Sequence, residues 1–176
     1  MTRTRSAAGR IRRCARRQNE KGLRRETQAL NPHLAPAIEF ALATAMRAGE
    51  IIGLCWVDVD RQRRVSRIRE AKNGHPRGVP LSSKALAALE SIERDGERVF
   101  SRLTSDTLKH LFARLTKRCE LDNLRFHDLR HTAITRYARL DMNPIQLAVI
   151  SGHKDIRMLA RYAPEGGRVG WCDGVV

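Results

Sequence analysis

One stretch breaks an otherwise helical pattern, and it limits what the chain can fold into. Residues 57–82, VDVDRQRRVSRIREAKNGHPRGVPLS, alternate through Val65 and Ile68, meet the Asn73-Gly74 turn signal and resume at Val79 before Pro80. That pattern predicts a small antiparallel ribbon. The apolar residues around it recur at helical intervals instead. In HLAPAIEFALATAM, Leu34, Ile38, Phe40, Leu42 and Met46 are spaced for one helix face, with alanine filling the gaps. One ribbon among several helices predicts an α+β fold, mainly helical with a small antiparallel β-sheet.

The helix boundaries are marked by familiar signals. RAGEIIGLCW reads as a turn and short helix with breaks at Gly49 and Gly53. Ser82 or Ser83 is placed to cap KALAALESIERD, and Ser105 or Asp106 to cap the helix through TLKHLFARLTKRC. FHDLRHTAITRY opens a further helix ending near Asp141. Asn143-Pro144 starts IQLAVIS, which Gly152 closes. DIRMLARYA is a last short helix before Pro164, and EGGRVGWCDGVV has no periodicity.

Charge is the feature that bears on partners. The 176 residues carry 34 Lys and Arg against 19 Asp and Glu, a net of +15, which predicts attraction to polyanions, nucleic acid first. Residues 1–30 hold ten basic and two acidic residues with few large apolar side chains, and are expected to form a basic flexible N-terminal arm. Residues 31–164 are expected to form one domain and 165–176 an irregular tail. No apolar run approaches the roughly 20 residues that span a bilayer, and no apolar stretch follows the arginine-rich start as a secretory signal would require. Cys14, Cys55, Cys119 and Cys172 form no CxxC pair, so neither a zinc site nor a disulfide framework is indicated. The expected location is the cytoplasm, with no membrane partner.

Several polar residues are candidates for chemistry, each with an ordinary alternative. His127, Arg130 and His131 stand at i, i+3 and i+4, so they share a helix face that is either solvated or grips an anion. Arg47 precedes Glu50 and either pairs with it or is braced by it to meet a phosphate bidentately. Lys72 sits at the approach to a ribbon tip, His153 just after a helix end, and Tyr162 in a short helix. Taken singly, each of these three reads as a surface or half-buried group.

Their order is more specific. The succession AMRAGEIIGLCWVDVD, KNGHPRGVPLS, FHDLRHTAITRY, ISGH and RYAP resembles the catalytic domain of the tyrosine recombinases, or phage-type integrases, from about His33 to Pro164. The resemblance implies a pocket for one DNA phosphodiester. Tyr162 matches the nucleophile that forms a 3′-phosphotyrosyl link and frees a 5′-hydroxyl. Arg47 and Arg130 match the two arginines that clamp the non-bridging oxygens. Lys72 matches the lysine that protonates the departing 5′ oxygen. His127 matches the acid/base partner of the nucleophile, and His153 a hydrogen-bond donor to the phosphate. His131 has no counterpart and is assigned a structural or backbone-binding role.

Those residue types suit that reaction. A tyrosine with a pKa near 10 needs a base or nearby positive charge to attack at neutral pH. Permanently charged guanidiniums answer the extra charge of a pentavalent phosphorus. Histidine moves protons in both directions near pH 7. No carboxylate cluster stands ready to hold Mg²⁺, so neither metal nor cofactor is expected. The implied partners are double-stranded DNA and, for strand exchange, further protomers in a tetrameric synapse or a fuller-length recombinase. Relatives carry a helical domain before the catalytic one, where this sequence has about thirty basic residues, so weaker DNA affinity is expected. The leading expectation is a site-specific DNA recombinase. The alternatives are a DNA-binding remnant of a mobile-element integrase and a type IB topoisomerase-like nicking-closing enzyme.

Overall fold

The computed structural model of the chain describes Thr27 and residues 30–69, 76–121, 123–140, 142–153 and 155–162. The expected arm falls almost wholly outside these residues, as do the expected tail, the Asn73-Gly74 turn and Lys72. Thr27 is buried, and its carbonyl accepts the Asn31 N–H.

The first helix whose full span is described, α1 (Leu34–Thr44), is buried along most of its length and packs against α3 (Ser83–Glu90) and α5 (His127–Ala138). Such a helix is an axis of the core, which is why its sequence is apolar on more than one face. Phe40 meets Phe100 with ring centroids 5.7 Å apart, and Phe112 of α4 (Ser105–Arg118) meets Phe126 edge-on at 5.4 Å. Leu34, Met46, Ile51, Leu89, Leu103, Leu108 and Leu129 fill the space between them. A smaller cluster of Ala45, Ala133, Ile134, Leu147, Leu159 and Tyr162 lies beside this core. It fixes the end of the chain that carries Tyr162.

The ribbon is a three-stranded antiparallel sheet in the order β1 (Val59–Asp60), β2 (Val65–Ile68), β3 (Arg77–Pro80). Val65 pairs with Pro80 and Ile68 with Arg77, which turns Ile68 and Val79 into the core. The short helix α2 (Ala48–Ile52) precedes it, with Arg47 at its N-cap and Gly53 at its end. Gly49 lies inside α2 and breaks nothing.

Several boundaries differ from the sequence reading for local reasons. Thr104, not Ser105 or Asp106, caps α4: its backbone is extended and its hydroxyl accepts the Thr107 N–H at 3.2 Å. α3 stops at Glu90 rather than running to Asp95, with Ser91 as its C-cap and the Ser91 hydroxyl donating to the Ala88 carbonyl at 2.8 Å. α5 ends at Ala138, three residues short of Asp141. The segment Ile156–Tyr162 is a 3-10 helix. The expected signals around α6 (Pro144–Ser151) hold. Asn143 Oδ1 accepts the Ile145 N–H at 2.8 Å, and Gly152 closes the helix at φ +66°.

Candidate active site

Three chain turns meet at one place: the α1–α2 turn, the end of α6, and the face of α5 bearing His127, Arg130 and His131. α5 is tied to α1 through the carbonyls that a helix C-terminus leaves unpaired. Arg136 Nη2 donates to the Leu42 carbonyl at 2.9 Å, and the Tyr137 hydroxyl donates to the Ala43 carbonyl. Arg136 and Tyr137 are therefore structural, and cations at that end also suit the helix dipole.

Arg130 is the third member of this row. It is 4% exposed, and its fork donates through Nη1 to the Ala45 carbonyl and through Nη2 to the Ser151 carbonyl, both at 2.6 Å. Ala45 adopts the left-handed conformation at φ 56°, which ends α1 and turns the following residues toward Arg47. One guanidinium thus bridges two helix ends, leaving three of its five N–H donors for other partners.

Arg47 leads out of the same turn. Its Nη1 pairs with Glu50 at 3.0 Å and its Nη2 reaches the Gly152 carbonyl at 3.2 Å, while 39% of the side chain stays exposed. Glu50 also holds a partner that sequence reasoning missed. Arg77 of β3 donates to both Glu50 oxygens, at 3.0 and 2.8 Å, in a pair whose side chains are only 10% and 5% exposed. A Cβ added to Gly152 would lie 2.7 Å from the Arg77 guanidinium carbon, so the glycine lets that group pass beneath the α6 terminus.

The electrostatics follow from this packing. Burial, then the neighbouring Arg47, pushes Arg130 down to about 10, while Glu50 and Tyr162 oppose the shift. It stays charged at neutral pH. Burial alone would raise the Glu50 carboxyl, yet hydrogen bonds from Arg77 and Arg47 and the Arg77 charge hold it below the ordinary range. Two guanidiniums bond the Glu50 carboxylate and a third, Arg130, feels its charge, an excess of positive charge that favours a bound anion.

The remaining groups line the edge. His127 stands at the start of α5, and the partial burial of its ring, then His131 and Arg130, hold it below the ordinary histidine range. His153 Nδ1 lies 2.6 Å from Ser151 Oγ. That hydroxyl also donates to the Leu147 carbonyl at 2.5 Å, tying the imidazole to the end of α6. Tyr162 is 8% exposed in the second core cluster, and its hydroxyl hydrogen-bonds His131 Nδ1. The two rings stack at 5.8 Å with planes 26° apart, and His127 meets His131 edge-on at 4.9 Å.

Five of the six predicted positions, Arg47, His127, Arg130, His153 and Tyr162, thus converge, and Lys72 lies outside the described residues. A model described as the phage integrase family matches residues 15–165. This chain belongs to the phage integrase family. It is 38% identical over 144 residues to the shufflon-specific DNA recombinase of Escherichia coli, an alignment covering 81% of this chain and 38% of that protein. It is 40% identical over 139 residues to a putative integrase/recombinase of Haemophilus influenzae, covering 77% and 45%. The chain therefore spans less than half the length of these curated relatives.

Solved structures agree on the fold. The Tn1549 transposon integrase in complex with transposon right end DNA superposes with a TM-score of 0.72 at 22% identity, covering 90% of this chain and 60% of that one. A lambda integrase dimer bound to a core site gives 0.70 at 20% identity, covering 93% and 48%. Among the described residues of this integrase-family chain, no helix is long and apolar enough to cross a membrane.

Proposed function

We propose that this chain breaks and rejoins strands of double-stranded DNA through Tyr162. Its hydroxyl attacks the phosphorus, an Oη–P bond forms, and the bond to the 5′ oxygen breaks to leave a 3′-phosphotyrosyl link. Arg47 and Arg130 hold the non-bridging oxygens, His153 donates a further hydrogen bond, and Lys72 protonates the departing oxygen. The observation carrying this reading is the position of Tyr162: close enough to Arg130 to act on its charge, beside three guanidiniums balanced by one carboxylate. Aligned oxyanion donors that need not reorganise during reaction are the largest contribution a protein makes to such chemistry. Religation reverses the step without ATP, because the covalent link conserves the phosphodiester.

In this reading the chain acts on DNA in the cytoplasm, on the nucleoid if the host is bacterial, and recombines sites when protomers assemble on DNA. A second outcome, nicking and closing by one protomer, is favoured by the fact that Arg47, Arg130, His153 and Tyr162 come from a single chain.

The test is a pool of nicked duplexes of randomised sequence, in which cleavage near the nick releases a short strand and traps the covalent complex. Wild type and Tyr137→Phe are expected to give an SDS-resistant protein–DNA band, and Tyr162→Phe none. Tyr137 is the fitting control, being the other of the two tyrosines. Salt-sensitive binding with no band from wild type would favour a DNA-binding remnant instead.

A further inference from the structure

The resemblance gives the acid/base role at the nucleophile to His127, yet His127 makes no described hydrogen bond to Tyr162. The ring that does is His131, four residues on and one helical turn along the same face of α5. Its Nδ1 meets the tyrosine hydroxyl, and the two rings lie nearly parallel at 5.8 Å. His127 stands one ring further out, edge-on to His131 and exposed.

The surroundings hold this arrangement in place. Tyr162 is packed among Ala133, Ile134, Leu147 and Leu159, so its ring has little freedom to leave the His131 face. The 3-10 helix carrying it packs directly on α5. A base must reach the proton it removes at hydrogen-bond distance, and geometry precedes every other criterion.

From this we propose that His131 is the catalytic base on Tyr162, with His127 acting as a positioning residue that supports the His131 ring. The inference rests on the strand-breaking reading above. As Tyr162 Oη bonds to phosphorus, its proton passes to His131 Nδ1, which accepts it when the neutral ring carries its hydrogen on Nε2. The P–O5′ bond breaks, and the 5′ oxygen takes a proton from a separate acid. On religation the 5′-hydroxyl attacks, and His131 Nδ1 returns its proton to the departing tyrosine oxygen.

The experiment measures covalent adduct per unit of bound DNA on the randomised nicked-duplex pool, with the full chain. His131→Ala is expected to slow adduct formation about a hundredfold or more with DNA retention unchanged. His131→Asn keeps a hydrogen-bonding group near Nδ1 but cannot take a proton, so it should show the same loss with an unaltered melting temperature. His127→Ala should lose less than either.

Fluorinated tyrosine separates a base from a structural support. With only two tyrosines in the chain, biosynthetic replacement alters Tyr162 and Tyr137 alone. A phenol that ionises nearer neutral pH depends less on a base, so fluorination should restore about tenfold or more of the loss in His131→Ala and in His131→Asn. Wild-type rates in either His131 variant would overturn the proposal, and so would a loss that fluorination leaves untouched. Absence of adduct from the wild type would overturn the strand-breaking reading itself, whereas a working wild type confines any failure to the role of His131.

Discussion

Replacing Glu50 by Gln perturbs the group on which both Arg47 and Arg77 depend. The Glu50 side chain is 5% exposed and accepts Arg77 at 3.0 and 2.8 Å, Arg47 Nη1 at 3.0 Å and the Arg47 N–H at 2.9 Å. Glutamine keeps the shape but turns an NH₂ toward a guanidinium and removes the only counter-charge described between Arg47, Arg77 and Arg130. Breaking a buried ion pair from one side costs about 3–5 kcal/mol. The pair with Arg47 is more exposed and contributes little. The lower figure, about 3 kcal/mol, is therefore the expected loss, equivalent to a fall in Tm of roughly 6–12 °C for a chain of this size.

The pH dependence has a definite sign. The folded Glu50 carboxyl lies below its ordinary value, because the bonds and charge of Arg77 and Arg47 outweigh a burial contribution that alone would raise it. Its stabilisation is complete above the unfolded value of about 4.3 and is lost as pH falls toward the folded value. Thermal unfolding followed by circular dichroism should show the full gap between wild type and Glu50→Gln at pH 7, closing on acidification below about pH 4. A Tm within about 2 °C of wild type at pH 7 would refute the reasoning, as would a gap that stays constant with pH.

Three further substitutions test the framework around the pocket. Gly152→Ala should destabilise by about 1–2 kcal/mol from its left-handed φ of +66° alone, and by more because Arg77 is pinned by Glu50 and cannot swing away, read as a lower urea midpoint. Arg130→Lys should lose covalent adduct and about 2 kcal/mol of stability, since one ammonium cannot span the Ala45 and Ser151 carbonyls as the fork does; both are read on the same purified protein. Asn143→Ala removes the α6 cap and should cost about 1 kcal/mol, measured by urea unfolding, while leaving adduct formation by the folded protein intact.

Signals confined to one stretch of chain were legible in the sequence. Asn143-Pro144 and Gly152 mark both ends of α6 because capping and a left-handed closure involve residues within a turn of each other. The ribbon was legible because Ile68 and Val79, on either side of the Asn73-Gly74 turn signal, report one buried sheet face. What stayed hidden was set through space. Arg77 looks like a wet strand residue until β3 brings it 27 positions back to Glu50 and under Gly152. Arg136 and Tyr137 share a sequence stretch with the candidate site, yet their side chains serve the α1 carbonyls. His127 and His131 sit on one helix face, the resemblance points to His127, and only the packing of the 3-10 helix brings the His131 ring against Tyr162. Thr104 was passed over because Ser105 and Asp106 cap equally well by type, and backbone angle alone distinguishes them.

The most direct measurement is to digest the trapped protein–DNA complex and locate the nucleotide by mass spectrometry. The account predicts a 3′-linked nucleotide on the peptide containing Tyr162, with a free 5′-hydroxyl on the released strand. A nucleotide on Tyr137 or another residue would contradict it, as would DNA cut without any protein-linked product.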